Sequence, residues 1–322
     1  MQQAPGKSHR DGISIIQLAE MFPTEDAARE WWEAQIWPDG RYCPECGSTR
    51  THECSHAKCP YRCTDCRKYF SAKTGTAIEG SKLSFRKWVF AIYLECTSLK
   101  GVSSMKLHRD IGVTQKTAWF MLHRIREVWA SSGHPPFAGP VEVDETYIGG
   151  KRKNMPKSKR KLLTGRGAVG KEAVIGAKDR DTNTVSAHVI DSTDRETLHD
   201  FVECASAPEA TVFTDDASAY KGIPRAHEAV NHSAGEYVRG EAHTNGIESF
   251  WSMFKRAYVG VYHKISPKHL DRYVGTFAGK HNMRNLGTMA QMKATVAGMK
   301  ARPLPYAVLT ADVGLASGAR KG

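Results

Sequence analysis

The chain has 322 residues, 46 Lys and Arg against 34 Asp and Glu, a net charge of +12 and 40% hydrophobic residues. That length exceeds one ordinary domain, the apolar content is enough for real cores, and the basic surplus favours a polyanionic partner, nucleic acid before an anionic membrane surface. No run of about 18 apolar residues occurs and the start MQQAPGKSHRDG lacks the apolar centre of a signal peptide, so a cytoplasmic protein with reduced cysteines and no membrane association is expected.

Residues 1–12 read as disordered, and residues 1–40 as a helical segment. Thr24 is placed to cap the helix EDAAREWWEAQIW, with Ala27, Trp31 and Ile36 near one face. Trp31, Trp32 and Trp37 read as a packing surface rather than a binding platform. Six of the eight cysteines follow between Cys43 and Cys66. Cys43-x-x-Cys46 and Cys63-x-x-Cys66, sixteen residues apart, have the spacing of a zinc ribbon over 41–80, each pair closing half of a tetrahedral Zn²⁺ site. A redox dithiol needs only one such pair. His52, Cys54, His56 and Cys59 lie between the pairs, either as alternative or second-site ligands or as plain loop residues.

Residues 81–130 read as a buried-type helix, LSFRKWVFAIYLECTSLK, and then a helix-turn-helix. Ser103 or Ser104 caps a short helix, Gly112 makes the turn, and Thr114 caps QKTAWFMLHRIREVW. Around a core stripe of Ala118, Met121, Leu122 and Ile125, the second helix carries Gln115, Lys116 and Arg124 as candidate DNA contacts, together with His123 and Arg126. The competing reading is a helical pair that only packs. SSGHPPFAGP, near 131–140, is the best domain boundary.

Beyond it, over 138–290, strands alternate with helices, and residues 291–322 read as a C-terminal tail, loose after Lys300. VEVDETYIGG is a strand carrying Glu142, Asp144 and Glu145. Eight cations and no acid then fall between Lys151 and Arg166. Of these, Lys151, Arg152, Lys153, Lys157, Lys159, Arg160 and Lys161 are candidate phosphate contacts, with a disordered basic excursion as the plain alternative. TDRETLHDFVECASA is an amphipathic helix with Thr193 as its cap. Asp215 and Asp216 end a short buried strand, and Glu248 lies on the helix HTNGIESFWSMFKR. On that helix Asn245, Glu248, Ser252 and Lys255 share one face, with aromatic residues on the flanks. The helix after it starts with Pro267 in its first turn. Carboxylates from three separate elements, if the fold brings them together, are hard oxygen ligands for two divalent ions. Taken singly, each reads equally as a turn former or a surface charge.

Four blocks, CPECG…YRCTDCRKYFSAKTGTAIEGSKLS, VEVDETYIGGK, FTDDASAY and HTNGIESFWSMFKR, resemble the bacterial insertion-sequence transposases with an N-terminal zinc ribbon, relatives of the Merlin transposons. The resemblance covers roughly residues 15–290. It implies a multidomain protein in which zinc ribbon and helix-turn-helix precede an α/β RNase H-like, retroviral-integrase-like catalytic domain with a mixed sheet. It also implies a catalytic set of Asp144, Asp215, Glu248 and the trailing Lys255. The three acids would hold two Mg²⁺ or Mn²⁺ ions, with Asp216 a rival for the second position and Asn245 a neighbour of the third. The implied activity is cleavage at the element ends and joining of the 3′-hydroxyls to target DNA. The implied partners are double-stranded DNA (terminal inverted repeats and target) and at least a second copy of the chain, in a bacterial, nucleoid-associated setting. A DNA-binding regulator, or a nuclease on the same fold that cuts without joining, is the alternative.

Overall fold

In the computed structural model the chain divides into two units, one formed by residues 1–129 with 283–312 and the other by 130–282 with 313–322. The residues described are 11–56, 58–130, 134–150, 152–163, 168–230 and 243–315. Residues 1–10, most of the stretch expected to be disordered, lie outside them. Among the described residues no helix is long and apolar enough to cross a membrane.

The first unit starts with helix α1 (Ile15–Met21), whose cap residue Ser14 and Gln17 form a reciprocal capping box. Helix α2 (Glu25–Ile36) is capped by Thr24 as expected. Its buried face is Ala28, Trp32 and Ile36, with Ile36 as read in the sequence but Ala28 and Trp32 in place of Ala27 and Trp31. Trp31 sits at the margin, edge-on to Phe22 at 5.3 Å. Strands β1 (Thr51–Glu53), β2 (Tyr61–Cys63) and β3 (Tyr69–Phe70) form a small antiparallel sheet. Helix α3 (Phe85–Thr97), capped by Ser84, is buried along most of its length. Helix α4 (Ser104–Ile111) has Ser103 as its cap and ends at Gly112, whose φ of 61° and ψ of 55° are left-handed, the conformation glycine adopts without penalty. Helix α5 (Gln115–Ala130) begins where the Thr114 hydroxyl accepts from the Thr117 N–H at 3.2 Å.

The second unit is built on a five-stranded mixed sheet of β4 (Val141–Ile148), β5 (Glu172–Asp179), β6 (Val185–Ile190), β7 (Thr211–Asp215) and β8 (Ala226–Val230), in the order β6-β5-β4-β7-β8. The hairpin strands β4, β5 and β6 are antiparallel, whereas β7 and β8 add in parallel. The helices are α6 (Lys157–Leu162), α7 (Arg195–Ala205), α8 (Asn245–Ala257), which runs on into a π-turn, and α9 (Pro267–Asn282). The cap of α7 is Asp194, which accepts from the Thr197 N–H at 2.9 Å. Thr193, expected in that role, instead bonds the Tyr147 hydroxyl at 3.2 Å.

Period-two alternation along β4 sorts its side chains between two cores. Val141 and Val143 pack with Leu198 and Val202 of α7. Ile148 packs with Trp251 and Phe254 of α8. Asp144 thus lies on the α8 face and Glu145 on the α7 face, although they are neighbours in sequence.

After Asn282 the chain returns to the first unit through α10 (Thr288–Ala297) and α11 (Tyr306–Thr310). Met292, Val296 and Met299 join the core of α2, α3 and α5. Part of the segment read as the C-terminal tail, before Lys300, therefore lies within that core.

Candidate functional site

The sulfur atoms of Cys43, Cys46, Cys63 and Cys66 all lie within 4.8 Å of one another. Cys43 faces Cys66 at 3.6 Å and Cys46 faces Cys63 at 3.6 Å. Four thiolates at a zinc–sulfur distance of about 2.3 Å stand roughly 3.8 Å apart in a tetrahedron, so the set fits Zn²⁺. The first knuckle turns at Gly47, φ 75°. The Cys66 N–H, aimed at the Cys63 sulfur, is the largest influence on that thiol, whose pKa is held down at about 7. Trp37 packs edge to face on Tyr61 at 5.6 Å and on Phe70 at 6.0 Å, in the core that Cys43 and Cys63 share. Among the described residues this is the one group of three or more potential ligands so closely set. The intervening His56 uses Nδ1 to accept from the Lys58 and Cys59 N–H groups, at 3.3 and 3.1 Å. Cys54 donates to the Cys59 carbonyl at 3.4 Å. Both contacts organise the loop.

The acids gather in the second unit. Asp144 pairs in register with Gly176 of β5, and a Cβ at Gly176 would come within 2.7 Å of the Trp251 ring. The missing side chain lets α8 lie flat on the sheet beside Asp144. The parallel register Val141↔Val212 and Glu142↔Phe213, continued two residues, sets Asp215 next to Asp144 on the same face. Asp216 falls past the end of β7. Asp215 accepts from the Ala217 N–H at 3.2 Å, closing the turn. Helix α8 buries Ile247, Phe250, Trp251, Phe254 and Ala257, and exposes Asn245, Glu248, Ser252 and Lys255. The Glu248 carboxylate accepts from the Thr244 hydroxyl at 2.9 Å.

The electrostatics tie these acids together. The Asp144 carboxyl is pushed up to about 7, by burial first and then by the charges of Glu145, Asp215 and Glu248. Glu145 is also raised, mainly by burial, on the opposite face of the strand, where the Tyr220 hydroxyl donates to it at 2.6 Å. Sequence reasoning missed Tyr220, and it passed over Glu142 and Thr244. The two-residue spacing of Glu142 from Asp144 was the available signal.

The expected DNA contacts divide. At the start of α5, the Gln115 amide donates to the Ser104 hydroxyl at 2.8 Å, and Lys116 lies over the Tyr306 ring at 4.9 Å. The core stripe Ala118, Met121, Leu122 and Ile125 is buried. Arg124 is buried too, only 6% exposed. It donates to the carbonyls of Leu304 at 3.2 Å and Glu79 at 2.9 Å, and burial pulls its pKa down to about 10. This placement corrects its expected role, because the guanidinium braces the first unit instead of facing outward. His123 and Arg126 are likewise buried. In the second unit, Arg152, Lys153, Lys157, Arg160 and Lys161 line one open cavity of about 690 Å³. Arg152 also donates to the Leu163 carbonyl. Lys151 and the side chain of Lys159 lie outside the described residues.

A four-cysteine knuckle in one unit, and a mixed sheet with gathered acids and a basic cavity in the other, are compatible with a multidomain transposase. The profile of the ISXO2-like transposase domain matches residues 136–282, nearly all of the second unit. An uncharacterized protein in the transposable element ISH50 of Halobacterium salinarum is 30% identical over 265 residues, covering 76% of this chain and 86% of its own length. The chain belongs to the ISXO2-like transposases of insertion sequences.

Proposed function

We propose that the chain binds the ends of its insertion sequence, cuts a strand there and joins the freed 3′-hydroxyl to target DNA as a DDE transposase. In this reading Asp144, Asp215 and Glu248 hold two Mg²⁺ or Mn²⁺ ions on an RNase H-like catalytic domain. One observation carries it: the parallel register of β4 and β7 brings Asp215 beside the buried Asp144, and the charges of Asp215 and Glu248 both reach the Asp144 carboxyl. Hard oxygen donors that disfavour one another's ionisation suit a divalent cation, which removes the repulsion. Two such ions, once bound, would activate the attacking oxygen and stabilise the leaving one in phosphoryl transfer.

The chain's own residues have separable tasks. Asp215 is preferred to Asp216 as the second acid because the strand register favours its face. Lys255, two helical turns beyond Glu248 on the exposed stripe, is suited to clamp a phosphate or to stabilise charge in the transition state. The cations from Arg152 to Lys161 neutralise flanking backbone. The ribbon, with its zinc, and the polar start of α5 at Gln115 and Lys116 contribute to recognition of the ends, α4 and α5 acting as a helix-turn-helix. Joining two ends calls for at least two copies in the active complex.

The test is strand joining with pre-cleaved end oligonucleotides, comparing the wild type with Asp144→Ala, Asp215→Ala, Asp216→Ala and Glu248→Ala. Loss of joining in the first, second and fourth, with Asp216→Ala active, is expected. Failure of the wild type to join pre-cleaved ends, while it cuts uncleaved ones, would make the chain a nuclease.

A further inference from the structure

We infer that Glu142 is a positioning residue that fixes the helix bearing the third acid against the strands bearing the other two; this rests on the DDE reading above. Glu142 is 1% exposed and shares the α8 face of β4 with Asp144, two residues on. Its Oε2 accepts the backbone N–H of Ile247, in the first turn of α8, at 2.9 Å. Such N–H groups are ordinarily capped by the side chain of the residue just before the helix. Here that residue, Thr244, makes no cap hydrogen bond, and its hydroxyl donates to the Glu248 carboxylate instead. The acceptor for the helix therefore comes from the strand. A carboxylate at a helix N-terminus is also favoured by the helix dipole.

The path between the first and third acids is short. Asp144 is two residues from Glu142, Glu142 holds Ile247, and Glu248 is the next residue along α8. The other Glu142 oxygen, Oε1, accepts from Arg180 Nε at 2.9 Å and lies 3.2 Å from His243 Nδ1. The Arg180 guanidinium stacks on Phe213 of β7 at 4.0 Å, two residues before Asp215, and donates to the His243 carbonyl just upstream of α8. One largely buried ion pair thus touches all three elements that carry the acids. Gly246 makes the approach possible, since a Cβ there would lie 2.7 Å from Glu142 Oε2 and 2.7 Å from Lys178 Nζ.

The experiment measures strand joining by the full-length protein on pre-cleaved ends as a function of Mg²⁺ concentration, with end-DNA affinity and Tm alongside. Glu142→Ala removes the anchor. Glu142→Gln retains an oxygen for Ile247, and Thr244→Val removes only the hydroxyl on Glu248. Expected for Glu142→Ala is a rate loss on the order of 10- to 100-fold, a higher Mg²⁺ concentration at half-maximal rate, and unchanged DNA affinity. Glu142→Gln should recover part of the rate, and Thr244→Val should raise the Mg²⁺ requirement without lowering Tm. The inference is overturned if the Glu142 variants keep the wild-type Mg²⁺ dependence, whether active or merely less stable. Asp144→Ala, run in parallel, separates the failures. Joining that survives in it removes the DDE reading itself, whereas its inactivity beside wild-type behaviour of Glu142→Ala removes only the anchor.

Discussion

At Asp144, burial and the neighbouring carboxylates together oppose ionisation. Its folded-state pKa, about 7, stands above the ordinary aspartate value of 3.8, so the folded protein binds more protons than the unfolded chain between those values. Stability is therefore lost as pH rises from about 4 to 7 in chelator-treated protein. Asp144→Asn should raise Tm at pH 8 and leave it nearly unchanged at pH 4; equal effects at both pH values would contradict the assigned environment. Arg124 makes the opposite point. Its positive charge and position on α5 invited a phosphate-binding role, yet its hydrogen bonds are to the carbonyls of Leu304 and Glu79. Leu304 is 180 residues distant in sequence, and no local pattern announces such a partner. Arg124→Met should cost about 1–3 kcal/mol for each carbonyl left without its donor, seen as a lower denaturant midpoint. The salt dependence of DNA binding should not move.

At the scale of elements, β4 and α8 were legible because both carry strong periodicity. Alternation in VEVDETYI sorts the strand's side chains between two faces, and the aromatic flanks of NGIESFWSMFKRA mark the buried side of the helix. What could not be read was their juxtaposition, which depends on Gly176 and Gly246 having no side chains where Trp251 and Glu142 approach. Gly176→Ala pushes a methyl against a rigid indole, and overpacking of this kind costs about 1–3 kcal/mol. It should also lower joining activity more than Phe254→Leu, a change on α8 one turn farther than Trp251 from Glu248. Equal activity losses would place no special demand on the Gly176–Trp251 contact. For the α6 region, Lys157→Ala with Lys161→Ala should reduce the slope of log affinity against log salt by about 0.9 for each phosphate that is no longer neutralised. An unchanged slope would remove this cavity from the DNA path.

For the whole molecule, the cysteine spacing announced the four-cysteine knuckle, whose geometry suits zinc. The return of the chain after Asn282 was hidden. The residues that rejoin the first unit, Met292, Val296 and Met299, are too few and too widely spaced to reveal which core they enter. Cys43 and Cys63 lie in that same core, so zinc removal should reach well beyond the ribbon. Calorimetry of chelator-treated protein should show loss or a marked downshift of one transition, with the transition of the mixed-sheet unit retained. Two unshifted transitions would mean that the knuckle stands without metal. The central claim concerns Asp144, Asp215 and Glu248 as one metal site, and manganese anomalous scattering from crystals of the protein bound to its end DNA tests it most directly. The account predicts manganese peaks within coordinating reach of those three carboxylates. Manganese bound elsewhere, or held by Asp216 in place of Asp215, would contradict it.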